Sequence, residues 1–222
     1  MTRIASLFDA DVLTAEMDPR EAVGTLFAEE EAVVAKAVDK RRNEFVAGRM
    51  LARDLLRRLG RPIVAIPNGE DRAPRWPPGI VATLSHTHGY CAVAMATDEA
   101  IEGLGLDVEQ AEPLRKELFR MICTPAERES LAGLDEERAG LLGKLIFSAK
   151  ECAYKCQYAR SRTFLGFQAM RIEVDEPRGA FTAVFEQPAG EHFSPGDRIE
   201  GRFKVEAGLV LTGTTLRRRA LS

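Results

Sequence analysis

Cysteine and histidine are scarce in this sequence, and neither sign of charge has a large surplus. The 222 residues include only four cysteines and three histidines. The cysteines show no C-x-x-C spacing, so a zinc site is not indicated, and we expect reduced thiols in a cytoplasmic protein. Lysine and arginine number 31 against 34 aspartates and glutamates, a formal net charge of −3. That balance argues against a general nucleic-acid or membrane-surface binder.

Long apolar runs are also missing. The longest segment without a charged residue, Trp76 to Thr97, contains two prolines and two histidines, a composition that disfavours a membrane span. The first residues include Asp9 and Asp11 and no sustained apolar run, so we expect no signal peptide. Hydrophobic residues make up 45% of the chain, which is enough to fill the core of a folded protein.

The near-zero net charge conceals an uneven distribution. Residues 36–75 contain 11 basic and 5 acidic side chains, whereas residues 98–137 contain 4 basic and 12 acidic ones. The basic residues of the chain are mostly arginine, whose planar fork suits phosphate groups. The pattern favours phosphate binding at the basic block and cation binding at the acidic block.

The first half predicts a helix followed by strands. Apolar residues at helical spacing indicate a helix from about Asp39 to Leu59, preceded by a helical stretch from Glu29 to Val38. A loop rich in proline follows from Pro67 to Gly79. Two short apolar runs, Ile80–Leu84 and Tyr90–Ala96, are typical of strands.

The second half repeats this mixture. Ile101–Val108 is a predicted strand, the residues from Thr124 to Glu127 form a helix start with a capping box, and Asp135–Tyr158 is a predicted long helix. Further strands are predicted at Arg171–Val174, Phe181–Phe185, Arg198–Val205 and Leu209–Thr212. Each half has strands beside a long helix, which indicates two α+β lobes. We expect a division into residues 1–99 and 100–222.

Four groups of polar residues could carry chemistry. Asp107 and Glu109 lie two apart on a strand, so both carboxylates can meet one hard cation or can simply be exposed acids. Glu151 and Lys155 lie four apart on one helical face, which by itself indicates an ordinary pair worth about 0.2–0.5 kcal/mol. Glu151 as a third carboxylate would complete a magnesium site for a diphosphate.

The other two groups are basic. In Ser85-His86-Thr87-His88, a histidine beside a phosphate or a histidine in the core is favoured over a zinc ligand. Arg42, Arg49, Arg53 and Arg57 form a stripe on the predicted helix of residues 39–59. The stripe is either a solvated face or a phosphate-binding surface, and few acidic residues interleave with it.

Taken together and in this order, the motifs resemble those of the 4′-phosphopantetheinyl transferases. The resemblance is to the large, two-lobed class typified by the surfactin-synthetase enzyme, and within it to the enterobactin-synthesis branch. It runs from about residue 41 to residue 167, with a plausible remainder to residue 211. The motifs are Arg41-Arg42-x-Glu44-Phe45-x-Ala47-Gly48-Arg49-x-x-Ala52-Arg53, Pro74-x-Trp76-Pro77-x-Gly79, Leu84-Ser85-His86, Gly105-Leu106-Asp107-Val108-Glu109 and Phe147-Ser148-Ala149-Lys150-Glu151-x-x-Tyr154-Lys155.

This resemblance implies a fold and a reaction. The fold is α+β with two pseudo-symmetric lobes, each a small, mostly antiparallel sheet packed on a long helix. The lobe of residues 1–99 would lie on the 3′-phosphate and adenine side of coenzyme A, and the lobe of residues 100–222 on the magnesium and catalytic side. The reaction transfers the phosphopantetheine arm of coenzyme A to a serine of an apo carrier protein and releases adenosine 3′,5′-bisphosphate.

The resemblance also implies roles for single residues. Asp107, Glu109 and Glu151 would bind Mg²⁺, and catalysis would fall to Asp107, Glu151 and Lys155, with Glu151 as the candidate base. Contacts with coenzyme A would come from Arg41, Arg49, Asp71, Arg72, Ala73, Pro74, Ser85, His86, Asp107, Lys150, Glu151, Lys155 and Leu165. Among these, Arg41 and Arg49 would hold the 3′-phosphate with Ser85 and His86. The Asp71–Pro74 loop would border the adenine, Lys150 and Lys155 would face the diphosphate, and Leu165 would follow the pantetheine arm.

The chain departs from the branch at two places. Asp71 stands where a basic residue is common, with Arg72 next to it as a substitute, and Ala82-Thr83 replaces the usual Gly-Ser before Ser85. Both departures concern contacts with coenzyme A and leave the reaction class unchanged.

Two other functions use the same residues. One is a magnesium-dependent nucleotide diphosphate hydrolase, and the other is a catalytically silent module that binds coenzyme A or a nucleotide. For a transferase, the carriers could belong to fatty-acid, polyketide or nonribosomal-peptide synthesis, siderophores included, with the last two classes favoured by the branch. Arg160, Arg162 and the Arg217–Arg219 run are candidates for receiving an acidic carrier. We expect a monomer without nucleic-acid or membrane partners.

Overall fold

A computed structural model describes residues 2–218, and its first half is a three-stranded sheet packed on one long helix. The strands are β1 (Leu13–Met17), β2 (Ile80–Thr87) and β3 (Tyr90–Thr97), and the helices are α1 (Ala28–Val34) and α2 (Asp39–Arg58). The sheet is antiparallel in the order β1-β3-β2. Leu55 and Leu56 of α2 are fully buried and pack in one cluster with Val93 and Met95 of β3.

The second half is a five-stranded antiparallel sheet packed on the longest helix. The helices are α3 (Phe119–Ile122), α4 (Pro125–Leu131) and α5 (Glu136–Ser161). The strands are β4 (Ile101–Gln110), β5 (Met170–Asp175), β6 (Ala180–Phe185), β7 (Arg198–Glu206) and β8 (Leu209–Arg217). They are ordered β4-β8-β7-β6-β5. Ala149 and Ala153 of α5 pack in one cluster with Phe181 and Phe185 of β6.

A third apolar cluster joins the two sheets and includes the start of the chain. Ile4, Leu7 and Phe8 pack there with Leu104 of β4 and Leu211 of β8. The first residues of the chain thus contribute to the core of the second half. The chain passes from one sheet to the other at residues 98–100, but the division into lobes 1–99 and 100–222 remains a prediction.

The predicted α+β class with a sheet on a long helix in each half is confirmed. The two long helices lie within a few residues of their predicted bounds because apolar spacing and caps mark them. Asp135 caps α5 by accepting a hydrogen bond from the backbone amide of Arg138. The capping box at Thr124 and Glu127 is also present, with Thr124 donating its amide to Glu127 and Glu127 donating its own to the Thr124 hydroxyl.

Sequence reasoning missed β1 and placed the end of α1 too late. The five residues of β1 do alternate between apolar and polar, from Leu13 to Met17, but the run is short and sequence reasoning did not use this signal. In α1 the helix stops at Val34, four residues before the predicted end. Within residues 2–218, none of the helices combines the length and the apolar character that crossing a membrane requires.

Candidate active site

Two glycines let β4 lie directly against α5. A Cβ built on Gly103 would come within 3.0 Å of the Cys156 carbonyl oxygen, and one on Gly105 would do the same at the Cys152 carbonyl oxygen. No side chain fits at such a distance, so the backbones of strand and helix touch. This approach sets the end of β4, with its carboxylates, beside the α5 turns that carry Glu151 and Lys155.

Asp107 is the centre of the resulting group of polar side chains. It is buried, and its Oδ1 accepts hydrogen bonds from Lys155 Nζ at 2.7 Å and from Ser85 Oγ at 3.1 Å. Its Oδ2 accepts from Ser148 Oγ at 2.9 Å. Ser85 comes from β2, Asp107 from β4 and Lys155 from α5, so one carboxylate connects the two sheets and the helix.

Lys155 directs its ammonium group into this centre. Its Nζ also donates to the Leu106 carbonyl at 3.0 Å and to Ser85 Oγ at 3.3 Å. Burial would lower the pKa of Lys155, but the adjacent Asp107 carboxylate outweighs burial, and the net shift is upward. Lys155 therefore supplies a fixed positive charge at neutral pH.

Glu109 and Glu151 lie half-buried near Asp107. Burial raises the pKa of Glu109, and the Asp107 carboxylate raises it further, while Lys144 opposes the shift from 3.3 Å. Burial also raises the pKa of Glu151, with Asp107 and Glu109 adding to the shift and Lys155 opposing it. The raised pKa values mark an excess of negative charge in a poorly hydrated place.

These carboxylates have the donor chemistry of a magnesium site. Oxygen ligands from Asp and Glu suit this hard cation, and a divalent ion would relieve their mutual repulsion. As the side chains lie in residues 2–218, however, no group of three or more His, Cys, Asp or Glu residues is placed to hold a metal ion. Asp107 instead makes its closest contacts with Lys155, Ser85 and Ser148.

A second polar group lies where α2 faces the end of β2. Arg41 Nη1 donates to His86 Nε2 at 2.7 Å, and Glu44 Oε2 lies 3.4 Å from His86 Nδ1. An arginine can only donate, so Nε2 must be the unprotonated ring nitrogen. Burial lowers the pKa of His86, which favours the same neutral form. The exposed Arg41 guanidinium is thus oriented by a neutral histidine and remains accessible to an anion.

The arginine stripe on α2 is occupied mainly in the protein's own contacts. Arg49 is buried, and it donates to the Ile66 carbonyl at 2.8 Å and to Asn68 Oδ1 at 2.7 Å. Burial lowers the pKa of Arg49 to about 10. The other members pair with acids, Arg42 with Glu31, Arg53 with Glu30 and Arg57 with Asp54. The stripe is therefore neither a purely solvated face nor an open phosphate surface.

The Asp71–Pro74 loop reaches the end of α5. Asp71 Oδ1 accepts from the amide of Ala73 at 3.0 Å, and its Oδ2 accepts from Tyr158 Oη at 2.9 Å. The Tyr158 hydroxyl holds the pKa of the Asp71 carboxyl below its usual range. Arg72 has a left-handed backbone with φ of 65°, and Pro74 pairs with Asn68 in an isolated bridge. The predicted adenine-side loop thus joins the first half to α5.

Lys150 requires a correction, because the structure does not bring it to the carboxylates. Its side chain is buried, and its Nζ donates to Glu127 Oε2 at 2.7 Å and to the carbonyls of Ile122 and Phe167 at 2.8 Å each. All three ammonium hydrogens are used inside the protein, so Lys150 does not face a diphosphate here. Consecutive residues on a helix point about 100° apart, which separates Lys150 from Glu151.

Leu165 and its neighbour differ in exposure. Leu165 is half-buried and packs against the core of the second half, whereas Phe164 is 81% exposed and makes an edge contact with Tyr154 at 6.0 Å between ring centroids. The segment after α5 therefore offers an apolar wall next to the helix face that carries Glu151.

Sequence reasoning missed several polar residues around these groups. They are Glu44 beside His86, Lys144 beside Glu109, Ser148 on Asp107 and Tyr158 on Asp71. Helical spacing offered a signal for three of them. Glu44 follows Arg41 by one turn, Ser148 precedes Glu151 by one turn, and Lys144 precedes it by two. Contacts between distant segments, such as Tyr158 with Asp71, leave no such signal.

Comparison with known proteins gives consistent matches over most of the chain. Residues 29–96 match the family model for the 4′-phosphopantetheinyl transferase N-terminal domain, and residues 103–201 match that for the 4′-phosphopantetheinyl transferase superfamily. The chain is 40% identical to the 4′-phosphopantetheinyl transferase Svp of Streptomyces mobaraensis, over 87% of this chain and 80% of that protein. It is 32% identical to the transferase PptT of Mycobacterium tuberculosis, over 97% of this chain and 98% of that protein. It is 31% identical to enterobactin synthase component D of Salmonella typhimurium, over 60% and 55%.

Proposed function

The chain belongs to the 4′-phosphopantetheinyl transferase family and moves 4′-phosphopantetheine from coenzyme A to carrier proteins, and we propose that the group around Asp107 is where it does so. The convergence of Ser85, Asp107 and Lys155 from three elements carries this assignment. It places a fixed cation and a cluster of carboxylates at the junction of the two sheets. Both are what transfer of a charged phosphoryl group requires.

The transfer consists of one bond formed and one bond broken. The carrier serine oxygen attacks the β-phosphate of coenzyme A, and the bond to the leaving adenosine 3′,5′-bisphosphate breaks. Lys155 lies against the diphosphate and neutralises charge that develops on it. Glu151 accepts the serine proton.

Asp107, Glu109 and Glu151 are the residues that would hold Mg²⁺. Bound there, the ion would neutralise charge on the diphosphate. Since Asp107 also binds Ser85 and Ser148, its carboxylate is fixed before any ligand arrives. The protein's own contribution is thus a preset position for one carboxylate and two adjacent ones with excess negative charge.

The part of the proposed site that binds the 3′-phosphate and the adenine of coenzyme A lies on the first half of the chain. Arg41 and His86 bind the 3′-phosphate, because Arg41 is exposed and the neutral His86 orients it. Arg49 contributes indirectly. Its hydrogen bonds to the Ile66 carbonyl and to Asn68 hold the segment that leads into the Asp71–Pro74 loop. That loop borders the adenine, with Asp71 fixed by Tyr158 rather than directed at a phosphate. Leu165 follows the pantetheine arm.

The carriers are those of nonribosomal-peptide or polyketide synthesis, with siderophore assembly suggested by the resemblance to enterobactin synthase component D. Some of the basic residues expected to contact the carrier already form ion pairs within the protein. Arg160 pairs with Glu102, and Arg217 pairs with Asp9 and Asp11. Arg162 lies 3.8 Å from Asp71 and is the most exposed of the three. Arg219 lies outside the described residues.

The protein acts as a monomer in the cytoplasm, where its four buried, free thiols stay reduced. Both halves of the proposed site come from one chain, so no second copy is needed to complete it.

Incubation with coenzyme A, Mg²⁺ and an apo carrier, followed by mass measurement of the carrier, tests the proposal. We expect the carrier to gain the mass of one phosphopantetheine and to lose this gain when a chelator removes Mg²⁺. Cleavage of coenzyme A without a carrier would instead indicate the hydrolase. Binding of coenzyme A without cleavage, with carriers of all three classes present, would indicate the silent module.

A further inference from the structure

Lys150 and Glu127 form a buried ion pair behind the helix that carries Glu151. Both residues are almost fully buried, at 2% and 3% exposure. Glu127 Oε2 accepts from Lys150 Nζ and also from the amide of Thr124 at 2.6 Å, and its Oε1 accepts from the amide of Ile172 at 2.6 Å. Two buried side chains thus satisfy each other and the surrounding backbone groups.

The pair connects α5 to the segments that pack on its side away from β4. The ammonium group of Lys150 reaches the Ile122 carbonyl at the end of α3, Glu127 in α4 and the Phe167 carbonyl before β5. Through Ile172, Glu127 adds β5 itself. Apolar packing alone would keep α5 at a distance from these segments, whereas hydrogen bonds of fixed direction also define its rotation about its own axis.

Two parts of the proposed site depend on that rotation. Glu151 is the next residue of the helix, so turning α5 moves its carboxylate relative to Asp107 on β4. The Phe167 carbonyl ends the segment that contains Leu165, and the Phe167 ring packs on Phe147 of α5 with 5.6 Å between centroids. The pair therefore links the position of the proposed base to the wall along the pantetheine arm.

Stability alone is a weak reason for such a pair. Removing a lysine and a glutamate from water is unfavourable, and replacing a buried pair with neutral residues of similar size often leaves stability unchanged. We infer that Lys150 and Glu127 are positioning residues that set the orientation of α5 and hence the place of Glu151 during transfer.

The inference rests on the proposed role of Glu151, and a double variant separates positioning from stability. Lys150→Met combined with Glu127→Gln removes both charges, and the single carbonyl oxygen of the glutamine can still accept one of the two backbone hydrogen bonds, from Thr124 or from Ile172. Because neither charge is left unpaired, we expect the double variant to fold. Since a displacement of 1 Å can cost about 100-fold in rate, we expect its kcat to fall by about 100-fold. The Kd for coenzyme A, measured by calorimetry, should change by a smaller factor than kcat, because Arg41 and His86 lie on the other half and still bind the 3′-phosphate.

A matched control lies on the same helix. Arg138 at the start of α5 pairs with Glu176, and both are exposed. Arg138→Met with Glu176→Gln removes the same two charges and should keep wild-type turnover. Rates are expressed per binding site for coenzyme A, so that unfolded protein does not lower them.

Either of two results overturns the inference. One is a folded double variant whose kcat stays within threefold of the wild type. The other is a control pair that loses as much activity as the buried pair. If the double variant does not fold, Glu127→Asp keeps both charges while shortening the link, and full turnover in that variant contradicts positioning. Wild-type turnover of Glu151→Gln would instead contradict the role of Glu151, so the two failures remain distinct.

Discussion

The acidic group of the second half and the arginine stripe of α2 are both clusters of like charge in the sequence, but the fold compensates their charges to different extents. In the acidic group, Asp107, Glu109 and Glu151 crowd together, and the last two have raised pKa values because burial and neighbouring carboxylates oppose their ionisation. In the stripe, each arginine finds an acid or a buried oxygen within the protein. Asp107 and Glu109 also have lysine partners, Lys155 and Lys144, but the compensation is incomplete because the pKa values of Glu109 and Glu151 are still raised.

Removal of the carboxylate at Glu151 should give the largest effect on the acidic side of this comparison. We expect Glu151→Gln to keep binding coenzyme A but to lose transfer by about 100-fold or more, the usual contribution of a general base. Mass measurement of the carrier gives the rate, and calorimetry gives the affinity. Glu137→Gln, on the exposed start of the same helix, is the control and should transfer normally. Wild-type turnover of Glu151→Gln would refute the assigned role.

Removal of a stripe arginine should act on folding instead. Arg49→Met leaves the Ile66 carbonyl and Asn68 Oδ1 without their donor, and each unsatisfied buried group costs about 1–3 kcal/mol. We expect a loss of about 2–4 kcal/mol in the free energy of unfolding, measured in urea. Arg57→Met, which breaks only an exposed pair with Asp54, should lose less than about 0.5 kcal/mol. Unchanged stability of Arg49→Met, together with weaker binding of coenzyme A, would favour direct contact with the 3′-phosphate.

The close approach of β4 to α5 can be tested separately from the charges. In Gly105→Ala the new methyl group would press on the Cys152 carbonyl oxygen, so strand and helix must separate. Overpacking of this kind costs about 1–3 kcal/mol, and transfer should fall as Asp107 moves away from Glu151. Gly133→Ala, with open space around its Cβ, should change neither quantity. Equal stability and equal transfer rates in the two variants would show that neither quantity depends on the close contact of β4 with α5.

The smallest expected effect concerns His86 and pH. Burial lowers the pKa of the His86 imidazole in the folded protein. As the pH falls, the unfolded chain is therefore protonated at His86 before the folded protein is. The stabilising effect is complete above the ordinary histidine pKa of about 6.5 and is lost progressively as the pH falls below it. Urea unfolding of the wild type and of His86→Gln from pH 8 to pH 5 should show a shallower decline for the variant. Parallel curves would mean that His86 does not contribute.

Residues close in the chain were the ones that sequence reasoning placed well. The long helices, the capping box at Thr124 and the shared faces of Asp107 with Glu109 and of Glu151 with Lys155 follow from spacing, because helical and strand periods act over a few residues. Edge strand β1 was missed although its five residues alternate between apolar and polar, because so short a run gives only a brief periodic signal.

Lys150 is the clearest example of what spacing could not reveal. It lies beside Glu151 in the same motif, and the motif alone gives both residues the same surroundings. The direction of Lys150 depends on Glu127, 23 residues earlier, and on the Phe167 carbonyl, 17 residues later. Likewise, Arg41 and Arg49 look alike in the stripe, but only the packing of the loop around Ile66 buries the second.

The sequence by itself determined the family, the order of helices and strands, and the residue types for magnesium and phosphate chemistry, because these depend on local periods and on motifs. The tertiary structure decided which charges remain free. Glycines on β4 bring the carboxylates to α5, and buried partners remove Lys150 and Arg49 from direct contact with solvent. Neutralisation depends on distances between segments far apart in the chain, and composition and spacing carry no information about those distances. The scarcity of cysteine and the nearly balanced net charge therefore argued only against particular classes of protein, such as zinc proteins and general nucleic-acid binders.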